Sequence, residues 1–277
     1  MPAEYLWPCI TAFLAGAINA LAGGGTLLTF PALIAALRAM KVQNAEVVAN
    51  VTSTIVLVPA SLSSAWAYRE ELSEVKHWLR ILSYPSILGG TLGALLVIWF
   101  PDAFRSLVPW LILTASVLFA AQPLVSKWLG HTATAKPSQS RVATVVIAQF
   151  FVSLYGGYFG AGIGILMLSA FALMGMANMH EMNALKSVLA TAVNATAVLI
   201  FIVQDFRAAG TSEDPKVVHW PLAGAMIVLA LAGGYFGARY GRKLPVKYVR
   251  YLVIIIGFGL TAYYFLKPLL EATPEAS

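Results

Sequence analysis

The chain has 277 residues, of which 59% are hydrophobic and only 11% are charged, and its net charge is +6. Soluble domains carry roughly 25% charged residues, so this composition excludes a soluble globular protein and predicts a chain that lies mostly within a lipid bilayer. Lys and Arg residues cluster between the hydrophobic stretches, as they do in the loops of membrane proteins. We therefore attribute the positive charge to membrane topology and expect no nucleic-acid partner.

Eight hydrophobic stretches follow one another along the chain, and each is about long enough to span a bilayer. They lie near residues 11–37, 47–68, 78–100, 106–125, 143–176, 185–204, 219–240 and 248–266. A polar stretch rich in Ser, Thr, Lys and Pro divides them into two groups, and such a composition is typical of a connector. The prediction is a first transmembrane repeat at 1–125, a polar connector at 126–141 and a second transmembrane repeat at 142–277.

The first stretch of each half contains a similar glycine-broken pattern. It reads GAINALAGGGTLLTFP at 16–31 and YGGYFGAGIGILMLSA at 155–170. A second match follows in the same order, GGTLGA at 89–94 and GGYFGA at 233–238. Matches in the same order indicate an internal duplication. Glycine-interrupted hydrophobic segments at corresponding positions of two halves indicate the binding site of a secondary transporter.

Loop charges indicate how each broken segment crosses the membrane. If each segment crossed once, the Lys and Arg residues would divide almost equally between the two sides. If each folds into a hairpin, with arms near 5–22 and 25–38 in the first half, twelve of the 18 basic residues fall on one side, as expected for the cytoplasm. Three further transmembrane helices per half then give the halves opposite orientations.

The predicted fold class is accordingly an all-α polytopic membrane protein built from two inverted-topology repeats. Each repeat contains a glycine-broken two-armed hairpin followed by three transmembrane helices. Whether the arms are re-entrant or span the membrane is left open by the sequence, so the number of membrane elements is eight to ten.

The two breaks are the candidate functional site. A helix broken inside lipid exposes backbone groups that have no water to bind, which is tolerated only where the break is buried in protein or lines a cavity. When Gly25 is aligned with Gly164, the arms after the breaks are expected to begin near Thr26 and Ile165. Free N–H groups and a positive dipole end at such helix starts favour an anion.

Polar residues near the breaks would complete a site for a hydrated oxyanion. Lys186 is a candidate because a cation within the membrane is by default functional, although it could instead extend its ammonium to the membrane surface. For the amide and hydroxyl side chains the alternative role is hydrogen bonding between helices. The candidate substrate-binding residues are Asn19, Gly23, Gly24, Gly25, Thr26, Asn44, Asn50, Thr52, Gly160, Gly162, Gly164, Asn183, Lys186, Thr191 and Asn194.

Other classes of function find less support in the sequence. The chain supplies no nucleophile with a base, and no metal-ligand set, at a recognisable spacing; the string HEMNA at 180–184 lacks the second His of a zinc protease motif. We therefore expect no enzyme activity, no metal and no cofactor. A proton-coupled uptake permease for organic anions and a non-transporting membrane scaffold stay open as alternatives.

Three segments resemble the TauE/SafE family of sulfite exporters. They read AGAINALAGGGTLLTFPALI at 15–34, GGYFGAGIGILMLSAFALMGM at 156–176 and NALKSVLATAVN at 183–194. The resemblance implies two related halves and movement of sulfite, sulfoacetate or other sulfur-containing organic anions across the bacterial inner membrane. We therefore expect a secondary transporter that exports such a small anion, with a homodimer left open as its assembly state. Because IGIL in the second repeat stands where the first has GGTL, the two half-sites are not expected to be identical.

Overall fold

The computed structural model describes residues 3–22, 24–129, 139–176, 178–210, 216–240 and 246–271. All regular secondary structure in these ranges is helical, which confirms the predicted all-α class. The helices are α1 (Ala3–Ala22), α2 (Thr26–Ala39), α3 (Ala45–Ala67), α4 (Leu72–Trp99), α5 (Pro101–Leu129), α6 (Gln139–Tyr158), α7 (Ile163–Leu173), α8 (Met179–Gly210), α9 (Trp220–Tyr240) and α10 (Val246–Glu271).

Six of these helices, within the described ranges, are long and apolar enough to cross a membrane: α3, α4, α5, α6, α8 and α9. Large apolar side chains cover their outer faces, for example Trp66 at 70% exposure and Phe206 at 71%. In water these exposed side chains would be unfavourable, whereas lipid accommodates them. The protein is therefore a multi-pass membrane protein.

Each half contains a hairpin made of one long and one short helix. The helices α2 and α7 have 14 and 11 residues, which at 1.5 Å per residue gives about 21 and 17 Å, less than the ~30 Å hydrocarbon core. The chain doubles back at the first break, since Gly25 lies beside the carbonyl of Ala15 on α1. The second arm of each hairpin is thus too short to cross the membrane alone.

The first arm of each hairpin packs mainly on the other half, whereas the second arms α2 and α7 pack mainly on helices of their own half. The helix α1 packs on α9 of the other half, and α6 in the equivalent position packs on α4. The glycines Gly233 and Gly237 of α9 lie against the backbone of α1, and Gly89 and Gly93 of α4 lie against the backbone of α6. A side chain at any of the four would collide with the facing helix, so these GxxxG pairs let the helix backbones approach closely.

The helices α3 and α8 pack against each other and run antiparallel. Near the end of α8, the buried side chain of Asp205 accepts hydrogen bonds from the N–H groups of Val217 and Val218 at 3.0 Å, as buried polar groups generally do. The residue that follows them, His219, donates its N–H to the hydroxyl of Thr52, 3.2 Å away. The end of α8 therefore lies beside the beginning of α3.

Parts of the predicted connector at 126–141 are helical, because α5 continues to Leu129 and α6 begins at Gln139. Residues 130–138 lie outside the described residues. The same is true of Gly23, one of the candidate site residues.

Candidate transport site

The two helix breaks have different backbone conformations. At the first, Gly25 precedes α2 with φ −55° and ψ −30°, which is right-handed. At the second, Gly160 and Gly162 both have φ +81°, in the left-handed region that favours glycine. The N–H of Ile165 already donates to the carbonyl of Gly162, at 3.0 Å.

The second arm begins earlier than the sequence alignment predicted. The helix α7 starts at Ile163 rather than near Ile165, because the left-handed residue that ends the break is Gly162 and Gly164 already lies within the helix. At the helix starts, Gly25 therefore corresponds to Gly162, and not to Gly164 as expected from the alignment.

A small cavity lined mostly by buried residues lies where the two breaks meet. A methyl group built on Gly160 would lie 3.9 Å from the hydroxyl oxygen of Thr26, which shows how closely the two halves approach there. The space open to the centres of water-sized molecules is about 20 Å³, enough for roughly one water. The lining residues are Asn19, Thr26, Leu57, Ser61, Ser64, Gly160, Ile163, Gly164, Lys186, Ser187, Ala190 and Asn194.

This cavity brings together six of the residues that were proposed from the sequence: Asn19, Thr26, Gly160, Gly164, Lys186 and Asn194. The other described glycines of the breaks shape the surroundings instead. Gly24 lies against the ring of Phe119, and Gly25 lies against α1. The cavity thus receives residues from both halves, with the polar side chains of the second half coming from α8.

Lys186 is the one charged residue among the described residues that line the cavity. It is only 2% exposed, so its ammonium does not reach the surface of the described structure. Its Nζ donates a hydrogen bond to Oδ1 of Asn183, 3.0 Å away. An ammonium buried beside a neutral amide is costly unless a negative charge compensates it, and an anion in the cavity would supply that charge.

Three serines in the cavity were missed by the sequence reasoning: Ser61, Ser64 and Ser187. Ser61 accepts a hydrogen bond from Nδ2 of Asn19 at 2.8 Å, and the buried Oγ of Ser187 has no hydrogen-bond partner among the described residues. A signal for the first two was present, since Leu57, Ser61 and Ser64 have the spacing of one helix face.

Five other proposed residues lie outside this lining: Asn44, Asn50, Thr52, Asn183 and Thr191. The hydroxyl of Thr52 accepts the N–H of His219, and that of Thr191 donates to the carbonyl four residues earlier, at 2.7 Å. Asn44 precedes α3 in a left-handed conformation with φ +51°. Asn50 donates instead to the carbonyl of Tyr158, at the end of α6.

Two broken-helix hairpins around a small cavity in an apolar helical fold are typical of secondary transporters in membranes. The family model described as "Sulfite exporter TauE/SafE" matches residues 9–264, a range that includes both breaks and every residue lining the cavity. The chain therefore belongs to the TauE/SafE family of membrane transporters.

Several similar proteins extend over nearly the same length. "Probable membrane transporter protein YfcA" of Escherichia coli (strain K12) is 28% identical over 261 residues, covering 91% of this chain and 86% of the relative. "Probable membrane transporter protein ORF9" of Sinorhizobium sp is 25% identical over 256 residues, covering 91% and 88%. A "Probable membrane transporter protein" of Haemophilus influenzae is 26% identical over 253 residues, covering 90% of each chain. The similarity thus extends over most of each relative and includes both halves of this chain.

Proposed function

We propose that this transporter exports a small sulfur-containing oxyanion, such as sulfite, sulfoacetate or another organosulfonate, across the bacterial inner membrane. The observation that carries the proposal is the cavity between the two helix breaks, with the buried Lys186 as its charged lining residue. The family supports the substrate class, because its description is that of sulfite exporters.

The cavity offers several donors to an anion. Besides the ammonium of Lys186, these are the backbone N–H groups of Ile163 and Gly164 at the start of α7. Both residues precede Ile165, whose N–H donates to the carbonyl of Gly162. The first N–H groups of a helix lack an acceptor within the helix and are suited to bind an anion. Hydrogen bonds from charged or oriented donors of this kind can replace the hydration shell of an oxyanion.

The size of the cavity bears on how the anion would enter. A space for about one water is smaller than a sulfur oxyanion, so we expect the two breaks to move apart when the anion binds. Each half, residues 1–125 and 142–277, contributes one broken hairpin to the cavity, and α1 packs on α9 while α6 packs on α4. This arrangement suits a motion of the two hairpins relative to each other. We propose in addition that the two halves are inserted in opposite orientations, which agrees with the distribution of basic residues.

The membrane potential is sufficient to set the direction. A potential that is negative inside contributes about 2.3 kcal/mol per charge per 100 mV, and so about 4.6 kcal/mol for a dianion that leaves the cell. Export therefore needs no coupling ion, whereas uptake of the same anion would need one.

Flux measurements in proteoliposomes test this function. Purified protein is reconstituted, and the fluxes of sulfite, sulfoacetate and sulfate are measured under an imposed potential, with and without a proton gradient. We expect flux of a sulfur anion that the potential alone drives. Flux that needs the proton gradient would support the proton-coupled permease instead, and the absence of flux for every anion would contradict the proposal.

The variant Lys186→Gln tests the site itself. A hydrogen bond from a charged group contributes about 1.5–3 kcal/mol, so we expect the apparent affinity for the anion to fall by roughly 10- to 100-fold. The matched control is Lys76→Gln, which removes the same charge from an exposed position on α4 and should leave the affinity unchanged. Equal affinities for the two variants would place the anion site elsewhere.

A further inference from the structure

Four aromatic side chains pack together next to the cavity: Phe30 on α2, Phe104 on α5, Tyr158 at the end of α6, and Phe159. The ring centroids of Phe30 and Phe159 are 5.2 Å apart and those of Phe104 and Tyr158 are 5.3 Å apart, both pairs edge to face. Phe30, Phe104 and Phe159 are at most 2% exposed. We call this set the aromatic cluster.

The aromatic cluster adjoins the cavity directly. Phe159 precedes Gly160, and Phe30 lies about one helical turn after Thr26; both Gly160 and Thr26 line the cavity. The cluster touches the same two breaks that hold the candidate site, so it would move when the breaks separate.

The cluster lies at one end of the cavity along α3. Asn50, which bonds to Tyr158, lies seven residues before Leu57 and therefore about 10 Å nearer the beginning of α3. Ser61 and Ser64 lie in the opposite direction from Leu57. The aromatic cluster thus lies beyond the cavity lining on the side where α3 begins, whereas Ser61 and Ser64 line the cavity on the side where α3 ends.

A hydrogen bond between the two halves holds the aromatic cluster against α3. The Nδ2 of Asn50 donates to the carbonyl of Tyr158 over 3.0 Å, and this carbonyl belongs to the last turn of α6, where carbonyls lack donor partners within the helix. Asn50 is 1% exposed, and its Oδ1 has no hydrogen-bond partner among the described residues. The buried side-chain amide of Asn50 therefore holds the end of α6 against α3 through this hydrogen bond.

We infer that the aromatic cluster and the hydrogen bond from Asn50 to Tyr158 form a closed gate on the side of the membrane where α3 begins. The inference rests on the proposed function in one respect, that the cavity is the transport site. An anion cannot pass between tightly packed rings that exclude water, so export requires the bond to break and residues 158–160 to turn. The left-handed Gly160, which directly follows the cluster, is a suitable hinge because glycine adopts either sign of φ at little cost.

Labelling of a cysteine in the cavity tests the gate. Cys9 is the only cysteine of the sequence, so a Cys9→Ala, Ser61→Cys background carries a single thiol, on the cavity side of the gate. Membrane vesicles of each orientation are treated with a membrane-impermeant methanethiosulfonate that carries a sulfonate group. In Asn50→Ala we expect labelling from the side where α3 begins to become roughly fivefold faster, which corresponds to the loss of one net hydrogen bond. Labelling from the other side should not become faster.

A control and a second variant complete the experiment. In Thr54→Ala the lost hydrogen bond, from Thr54 to the carbonyl of Asn50 at 2.8 Å, stays within α3, so labelling should keep the parent rate. Phe104→Leu retains the hydrogen bond from Asn50 to Tyr158 but removes the ring contacts of Phe104 with Tyr158 and Phe159. Labelling should again become faster. Parent rates in every variant that purifies as a folded species would overturn the gate.

The outcome separates the gate from the proposed function, because labelling is measured without substrate. Faster labelling in a protein that carries no sulfur anion would support the gate and contradict the substrate. Sulfite flux in the parent protein, combined with unchanged labelling in Asn50→Ala and Phe104→Leu, would support the function and overturn the gate.

Discussion

The two helix breaks need glycine for different physical reasons. At Gly25 the backbone is right-handed and open to any residue, but an added Cβ would lie 2.6 Å from the carbonyl oxygen of Ala15. At Gly162 an added Cβ would meet nothing closer than Leu118 at 3.6 Å, yet the φ of +81° suits only glycine well. One break is limited by space and the other by backbone conformation, although the sequence marks both in the same way.

The largest effect should come from Gly25. In Gly25→Ala the new methyl group must displace backbone, which cannot yield as a flexible side chain would, at a cost of about 1–3 kcal/mol. We expect a lower Tm in detergent and reduced anion flux. The larger side chain of Gly25→Asn should lower the Tm further, and equal Tm values for the two variants would show that space is not the limit.

At Gly162 the order of the same two substitutions should reverse. An Ala in the left-handed region costs about 1–2 kcal/mol, while Asn tolerates this region better, and an added Cβ there would make only ordinary van der Waals contacts. Gly162→Asn should therefore have a higher Tm than Gly162→Ala. The same order of Tm values at both positions would remove the distinction between the breaks.

A smaller effect is expected from Tyr155→Phe. The hydroxyl of Tyr155 donates to the carbonyl of Ala161 over 2.8 Å and so braces the second break. Its loss should reduce the free energy of unfolding by about 1 kcal/mol, seen as a modest decrease in Tm. Tyr84→Phe, at a residue that is 76% exposed, is the control; an equal decrease there would mean that the brace contributes nothing.

The broken hairpins could be predicted from the sequence because several closely spaced glycines weaken a helix inside apolar stretches that are otherwise long enough to cross the membrane. The exact position of the second break could not be predicted, because every second residue from 160 to 164 is a glycine. A sequence does not tell which of these glycines takes a positive φ. The structure assigns that conformation to the first two, and this moves the start of α7.

The candidate site was predictable only in part, because its composition depends on how each helix is rotated about its axis. Lys186 and Asn194 face the cavity while Thr191, between them on α8, does not. From sequence alone all three are equally good candidates. Ser61 could have been found from its spacing with Leu57 and Ser64, although a helical serine commonly bonds to a carbonyl of its own helix, as Ser61 does to Leu57 at 3.0 Å.

The packing of α1 and α6 on the opposite halves also affects how the protein is made. The helix α1 ends at Ala22 and its partner α9 begins at Trp220, so about 200 residues must be synthesised in between, which takes roughly 10–40 s at about 5–20 residues per second. The helix α6, by contrast, emerges after its partner α4 is already complete. The helix α6 can therefore pack on its partner as it is inserted, whereas α1 must wait in lipid or beside the insertion machinery until α9 has been synthesised.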